Sequence, residues 1–290
     1  MKKYVILISI FNDWKSVFKV LQEIDLAISV WTAEVSILIV NDASTENKNS
    51  IKLNFKNIKS VRIMNMKKNR GHARCNAAGL KFLTEKENFD YVILMDGDGE
   101  DRPEEIKQLI DNLKHYPDKA IVGVRVKRSE NIFFKFCYAV HKLLTFTFTG
   151  QSIKFGNYTC LPKFIVEKMV NEKATWCSFS GSLAKVAKDR ASVPSERGSR
   201  YFGPSKMSFM NLVKHSLSII AVFRINVLIR SILFLLIYLF LVSQNISLIT
   251  LIPIPIIIVM VVVVFATSSR ENITEFNNSL INISNIEILK

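Results

Sequence analysis

Tyr91-Val-Ile-Leu-Met-Asp96-Gly97-Asp98-Gly99-Glu100-Asp101 runs an apolar strand straight into four acids within six residues. Carboxylates crowded in this way repel one another unless a cation offsets them. A hard divalent ion takes oxygen ligands, and Mg2+ commonly accepts one or two carboxylates together with substrate phosphates. Asp96 and Asp98, with only Gly97 between them, can reach one ion while the backbone comes close. An isolated Asp-x-Asp is more often a solvated acidic turn, with Glu100 or Asp101 merely capping the next helix. The buried strand in front of this one favours the metal reading.

The same pattern repeats on both sides. Residues 4–10, 35–41, 60–65, 91–95 and 120–124 are short, β-branched, apolar runs that predict strands. Residues 14–28, 71–83 and 103–115 carry apolar side chains at helical spacing. Pro103 followed by Glu104 and Glu105 suits a helix start, where proline fits the first position and acids the first turn. Strand and helix in alternation predict an α/β fold with a mainly parallel central sheet covered on both faces. Ligands on such sheets sit beyond the carboxyl ends of the strands. The opening MKKYVILISIF passes directly into Asn12-Asp13 with no small-residue cleavage site, and reads as a first strand rather than a leader. Between 130 and 200 the pattern weakens. Residues 133–148 are aromatic-rich and basic, which fits either a core helix or one lying in a membrane interface.

The chain is 49% hydrophobic yet carries a net charge of +14, a pairing uncommon in freely soluble enzymes. It points to an anionic membrane face, where each nearby basic residue is worth about 1 kcal/mol. No basic stripe with interleaved aromatics supports a nucleic-acid partner. The four cysteines, Cys75, Cys137, Cys160 and Cys177, form no CxxC pair and read as buried thiols in a reducing compartment. Residues 225–242 are interrupted only by Asn226, Arg230 and Ser231, and residues 246–267 carry no charge. Each approaches the roughly 20 residues needed to span a bilayer. Pro253 and Pro255 are tolerable kinks there. Lys214, Arg224 and Arg230 precede this hairpin and Arg270 follows it, which predicts both ends on the cytoplasmic side. Residues 207–222 interleave Lys214, His215 and serines with apolar side chains, as an interfacial helix does, although a core helix competes.

Two further polar clusters follow strands. Val40-Asn41-Asp42-Ala43-Ser44-Thr45 places a carboxylate where it can accept from a base or ribose, though turn chemistry alone explains such a run. Lys67-Lys68-Asn69-Arg70-Gly71-His72-Ala73-Arg74 opens a helix whose free N–H groups and cations can face phosphates, or simply be solvated.

Taken in order, these elements resemble glycosyltransferase family 2. The matching pieces are Ile8-Ser9-Ile10-Phe11-Asn12, Val40 to Thr45, Asn69-Arg-Gly71 with Ala77-Ala-Gly79, Asp96 to Glu104, and Gly123-Val-Arg125. Arg200-Tyr-Phe-Gly203-Pro-Ser205-Lys206-Met207 and Phe155-Gly156-Asn157-Tyr158 are similar to elements of the polyisoprenyl-phosphate, dolichol-phosphate-mannose-synthase-like branch. The resemblance implies the nucleotide-sugar-binding GT-A fold. It places Ile10, Asn12, Asp42, Asn69 and Gly71 around the nucleotide, Asp96 at nucleotide or metal, and Asp98 and Glu100 on Mg2+ or Mn2+. Arg125, Arg200, Ser205 and Lys206 would contact phosphates, with Asp98, Arg125, Arg200 and Lys206 expected in the reaction itself. Glu100 stands where the branch often has glutamine, Asn157 where it often has aspartate, and Met207 where it has tyrosine. The last two put the acceptor in question.

The expected reaction moves a sugar from a nucleoside diphosphate to a polyprenyl phosphate, with inversion. A lipid phosphate needs no general base, whereas a hydroxyl acceptor does. Asp189 and Glu196 are the only weak candidates for one. A hydroxyl acceptor on a surface glycan and an inactive membrane scaffold are the competing readings. The expected layout is a catalytic domain at 1–206, a juxtamembrane helix at 207–223, a transmembrane hairpin at 224–268 and a polar cytoplasmic tail at 269–290. The expected location is a bacterial-type cytoplasmic membrane, multi-pass, with the catalytic domain and both termini inside. The lipid bilayer is then a partner, and a homo-oligomer is compatible with the pattern.

Overall fold

Continuous runs of buried β-branched side chains suit strands covered on both faces, and the N-terminal half is built from them. A computed structural model describes residues 1–48, 54–127, 132–204 and 208–290. Parallel pairing joins β1 (Lys3–Ile10), β2 (Glu34–Asn41), β3 (Ser60–Met66) and β4 (Tyr91–Asp96), with β1 between β2 and β4. Helices α1 (Trp14–Ala27), α2 (His72–Lys86) and α3 (Ile106–Leu113) fall where helical spacing predicts them. Alternate side chains of each strand feed two cores. Ile6, Ile8, Ile37 and Ile93 pack with Val17, Leu21 and Ile24 of α1 and Leu109 of α3. Leu7, Leu38, Val40 and Leu94 face the other way, onto Ala78 and Leu83 of α2.

The expectation of a mainly parallel α/β sheet holds at the centre, and the flanks are mixed. β5 (Ala120–Lys127), after which α4 (Ile132–Thr149) follows, pairs antiparallel with β6 (Phe155–Pro162). β6 in turn pairs antiparallel with β4. Helices α5 (Lys163–Val170) and α6 (Phe179–Val186) lead to β7 (Arg190–Glu196), which lies parallel to β5 at one edge. Pro194 is tolerated there because an edge strand has an unused N–H side.

The chain divides into two compact units, and their bounds differ from the sequence-based layout at two points. Residues 272–290, read as a polar tail, belong to the first unit with residues 1–129 and 154–206. They form a short helix, α11 (Ile273–Asn277), and a strand, β8 (Ile283–Ile288), and β8 pairs antiparallel with β3. The sheet order is therefore β7-β5-β6-β4-β1-β2-β3-β8. The alternation Ile283, Ile286 and Ile288 with polar neighbours is too sparse to stand out from an asparagine-rich segment.

The second unit holds residues 130–153 and 207–271, so α4 belongs to it and not to the unit that holds the sheet. With it are α7 (Phe209–Ala221), α8 (Arg224–Val242), α9 (Leu248–Leu251) and α10 (Pro253–Ser268). Ile220, Val227 and Val264 form the small core of this unit. Leu143, Phe240 and many further apolar side chains on α4, α8 and α10 stay exposed. Asn226 Nδ2 donates to the Thr149 carbonyl (3.2 Å) and Arg230 to that of Thr147 (3.1 Å), so both satisfy carbonyls at the end of α4. Arg224 pairs with Glu271 at 3.0 Å. Arg224–Val242 and the helical run Leu248–Asn277 are each long and apolar enough to cross a membrane.

Candidate active site

The carboxyl ends of β1, β2, β3 and β4 share one sheet edge, and the expected site residues of the first half gather there. Asp42 follows β2 and is nearly buried. Its carboxylate accepts from the backbone N–H groups of Arg70 (2.7 Å) and Gly71 (2.8 Å). Asn69 Nδ2 donates to its carbonyl at 3.2 Å. Asp42, Asn69 and Gly71 thus meet, but the carboxylate ties two loops together, leaving only spare lone pairs for a ligand. Asn12 organises the adjoining turn. Its Oδ1 accepts from the N–H groups of Thr45 (2.8 Å) and Glu46 (3.0 Å), and its own N–H donates to Ser44 Oγ (2.9 Å). Asn12 and Ala43 hold positive φ angles of 51° and 55°. Such strain persists only where its surroundings over-determine it, and functional sites are where it gathers. The Ile10 side chain, expected near the nucleotide, lies in the core instead. It contributes a carbonyl that accepts from Asp42 N–H at 2.9 Å.

The acidic turn after β4 forms the other half. Asp96 N–H donates to Asp101 Oδ2 at 3.0 Å, and Glu100 N–H to Asp98 Oδ1 at 2.9 Å. A segment before the second unit straps over this turn. Gly198 N–H donates to the Glu100 carbonyl and Tyr201 N–H to the Asp98 carbonyl, both at 2.9 Å. The approach is close enough that a Cβ on Gly198 would meet the Gly99 carbonyl at 2.6 Å. Gly99, at φ +92°, would likewise place a Cβ 2.7 Å from the Tyr201 ring. The strap delivers two cations. Arg200 pairs with Asp98 at 2.6 Å and also with Asp13, while Arg197 pairs with Glu100. Arg125 stands 3.5 Å from Asp101. Ser205 and Lys206, together with Met207, lie outside the described residues.

Burial pushes the Asp98 carboxyl up to about 6, with the Asp96 and Glu100 carboxylates adding to it. Asp101 is driven to about 8 by burial and then by Asp96. Asp96 is only partly buried, and His72, Arg125, Asn157 and Arg197 outweigh the desolvation and hold it below the usual range. The turn therefore carries more negative charge than it keeps ionised unaided. That condition, with an all-oxygen donor set, fits a hard divalent cation on Asp96 and Asp98. Among the described residues no group of three His, Cys, Asp or Glu side chains stands in metal-holding geometry. Glu100, expected as a third ligand, faces Arg197.

Two residues at this edge had no assigned role. Asn157 Nδ2 donates to Asp96 Oδ1 (3.1 Å) and meets His72 Nε2 at 2.6 Å. Ser9 Oγ donates to Asn76 Oδ1 at 2.9 Å, so the pattern assigns the His72 proton to Nδ1, 2.8 Å from Ser9 Oγ. In sequence His72 stood only within the basic run 67–74, with no role of its own. Of the two candidate bases, Asp189 precedes β7 at the opposite sheet edge and pairs with Lys119 at 2.7 Å. Glu196 ends β7 on the site side, with Arg102 at 3.6 Å.

A family model described as glycosyl transferase family 2 matches residues 5–165, more than half of the chain. The chain belongs to glycosyl transferase family 2. Among its relatives is the undecaprenyl-phosphate 4-deoxy-4-formamido-L-arabinose transferase of Klebsiella pneumoniae (strain 342), 28% identical over 223 residues. That alignment covers 73% of this chain and 65% of the relative, so the chain spans just under two thirds of that protein's length. Crystal structures of glucosyl-3-phosphoglycerate synthase from Mycobacterium tuberculosis share the fold. One, in complex with Mn2+, UDP-glucose and phosphoglyceric acid, gives a TM-score of 0.56 at 11% identity over 79% of both chains. Another, with Mn2+, UDP and glucosyl-3-phosphoglycerate, gives 0.53 at 11% identity over 78% of this chain and 80% of that one. At such identity the likeness speaks for the fold alone. The family 2 sheet described above is thus of the GT-A type, as the motifs implied.

Proposed function

We propose that this family 2 chain transfers a sugar from a nucleoside diphosphate to a polyprenyl phosphate at a membrane surface, with inversion at the anomeric carbon. The observation that carries the reading is the meeting of the Asp42 cradle and the Asp96–Asp98 turn at one sheet edge. The loops 41–46 and 69–71 would receive the base and ribose. Asp96 and Asp98 would hold a divalent cation, Mg2+ or Mn2+, which neutralises charge on the leaving diphosphate when bound. Glu100 joins them only when Arg197 releases it. Arg200 and Arg197, drawn onto carboxylates here, are placed to turn to phosphate as negative charge develops. Arg125, Ser205 and Lys206 keep their proposed roles at phosphates.

The acceptor reading rests on three supports. Asp189 is on the wrong edge to be a base, which removes one of the two candidates for activating a hydroxyl. Two helices have the length and apolarity to enter a bilayer. The relative in Klebsiella carries undecaprenyl phosphate in its name. We place the catalytic sheet and both termini on the cytoplasmic side. The test is incubation of detergent-purified full-length protein with Mn2+ or Mg2+, a panel of nucleotide-sugars and undecaprenyl phosphate. A chloroform-soluble glycolipid formed with stoichiometric nucleotide release is the expected result. Release that requires a glycan acceptor, or none with any donor, overturns it.

A further inference from the structure

The C-terminal segment after the apolar helices does more than finish the sheet. β8 extends the row of side chains that ends at the nucleotide loop. Glu287 Oε1 accepts from Asn65 Nδ2 at 2.7 Å, and Asn65 Oδ1 accepts from Asn41 Nδ2 at 2.8 Å. Asn41 Oδ1 then accepts from the Ser44 N–H at 3.0 Å, and Ser44 Oγ from the Asn12 N–H at 2.9 Å. Every amide in this series has one fixed direction, because its donor and acceptor ends are both engaged. The series leads without a gap from an edge carboxylate to the turn that holds the strained Ala43. Lys48, just beyond the same turn, closes it from outside by pairing with Glu287.

The same segment grips the second loop of the cradle. Lys67 N–H donates to the Asn282 carbonyl at 2.7 Å, and Asn282 Nδ2 to the Lys68 carbonyl at 3.2 Å. Glu275 pairs with Arg70 (3.1 Å) and Arg74 (3.3 Å), and Trp176 Nε1 donates to it at 2.9 Å. Phe276 is fully buried and stacks on Trp176 with ring centroids 5.5 Å apart. Arg70 and Gly71 supply the amides that bind Asp42. Both loops that frame the donor cradle are thus held from behind by residues 272–290.

We propose that residues 272–290 are the outer wall of the donor-nucleotide site, with Glu287 and Glu275 as positioning residues that set affinity for a nucleoside diphosphate. The inference deepens the donor-site reading given above and rests on it. Neither carboxylate touches the nucleotide. Glu287 acts through Asn65 and Asn41 on residues 43–46, and Glu275 acts through Arg70 on the amides that clasp Asp42. The mechanism is loss of preorganisation: a loop that must be ordered on binding lowers affinity without a contact being removed.

The test uses full-length protein in detergent, titrated with UDP, GDP and CDP in the presence of Mn2+, for the wild type and the variants Glu287→Ala, Glu287→Gln and Glu275→Ala. Each alanine variant should weaken the best-binding nucleotide by about fivefold, the worth of one hydrogen bond. Glu287→Gln should restore part of it, since it keeps the acceptor for Asn65 but loses the Lys48 pair. In turnover the donor KM should rise while the KM for undecaprenyl phosphate stays unchanged. Hydrogen exchange should speed up at residues 41–46 in Glu287→Ala and at 67–71 in Glu275→Ala, with β1 and β4 protected as before. A merely structural role would lower the melting temperature and the active fraction, leaving both KM values in place. That result, or unchanged loop exchange in folded variants, overturns the proposal. Should Glu275→Ala not fold, Glu287→Ala on the exposed edge strand decides by the same criteria. A wild type that binds none of the three nucleotides removes the donor-site reading, and the exchange data still decide whether the segment orders these loops.

Discussion

Asp98 is the side chain proposed to hold the cation, and its surroundings fix what its removal should do. Asp98→Asn keeps the shape and the Glu100 N–H bond but halves the carboxylate pair offered to a cation. We expect metal-dependent nucleotide binding to fall by about 100-fold or more, beyond the 10–100-fold typical of supporting residues, as read by titration with Mn2+. Its pH dependence has a definite sign. The carboxyl titrates near 6 without metal, so below that pH a cation must displace a proton. Apparent Mn2+ affinity should hold above pH 7 and fall by about tenfold per unit at acid pH, in the limit of one proton exchanged per ion. A flat affinity from pH 7 to 5 would show that Asp98 is not a ligand. Asn157 bears on the same point. An aspartate there would set a second carboxylate 3.1 Å from Asp96, where the amide now donates a hydrogen bond. Sequence reasoning found the acids because they sit together along the chain. It passed over Asp13, His72 and Arg197 because folding, not sequence adjacency, brings them to the site.

At the level of elements, legibility followed burial. β1 to β5 and α1 to α3 were readable because strands covered on both faces are nearly pure apolar runs and their helices show one apolar stripe. β7 and β8 lie at the two edges of the sheet, where polar side chains and even Pro194 are allowed, so their pattern dissolves into that of loops. β6 begins with three half-buried residues, of which Asn157 meets the site, and that blurred its first half. One connection was invisible for another reason. Asp25 at the end of α1 accepts from the N–H groups of Lys56, Asn57 and Ile58 at 2.8 to 3.0 Å, which anchors the approach to β3. Burial alone would raise its carboxyl, but these amides and Lys290 hold it below the ordinary value. Its folded-state pKa is depressed. The stability it gives is therefore present above the unfolded value of about 3.9 and lost as pH falls through the folded one. Asp25→Ala leaves three amides without their acceptor and should cost about 3 kcal/mol, measured by denaturant unfolding at pH 7. The deficit relative to wild type should shrink below pH 4. A loss that persists undiminished at pH 3 would assign the effect to packing instead.

For the whole molecule, the return of the chain to its first sheet constrains topology. β8 lies in the same sheet as β1, and two candidate spans fall between the strands that precede and follow them. An even number of crossings brings a chain back to the side it left. We therefore expect a cysteine placed at Gln244, in the short turn between the apolar helices, to react with an impermeant maleimide added outside intact cells. One placed at Ser284, exposed on β8, should react only after permeabilisation. Cys75, Cys160 and Cys177 are buried, and the half-buried Cys137 is replaced by serine in both variants to keep the background low. Labelling of both positions from outside, or of neither, would contradict a two-pass arrangement. The closing strand also orders events during synthesis. Domains generally form from the N-terminus as the ribosome advances, at roughly 5–20 residues per second. Here the sheet lacks β8 until residues 283–288 have been made, after both apolar helices have been translated. The outer wall of the proposed donor cleft thus forms only then, and a chain cut short before residue 283 should carry the acidic turn beside a cleft open on that side.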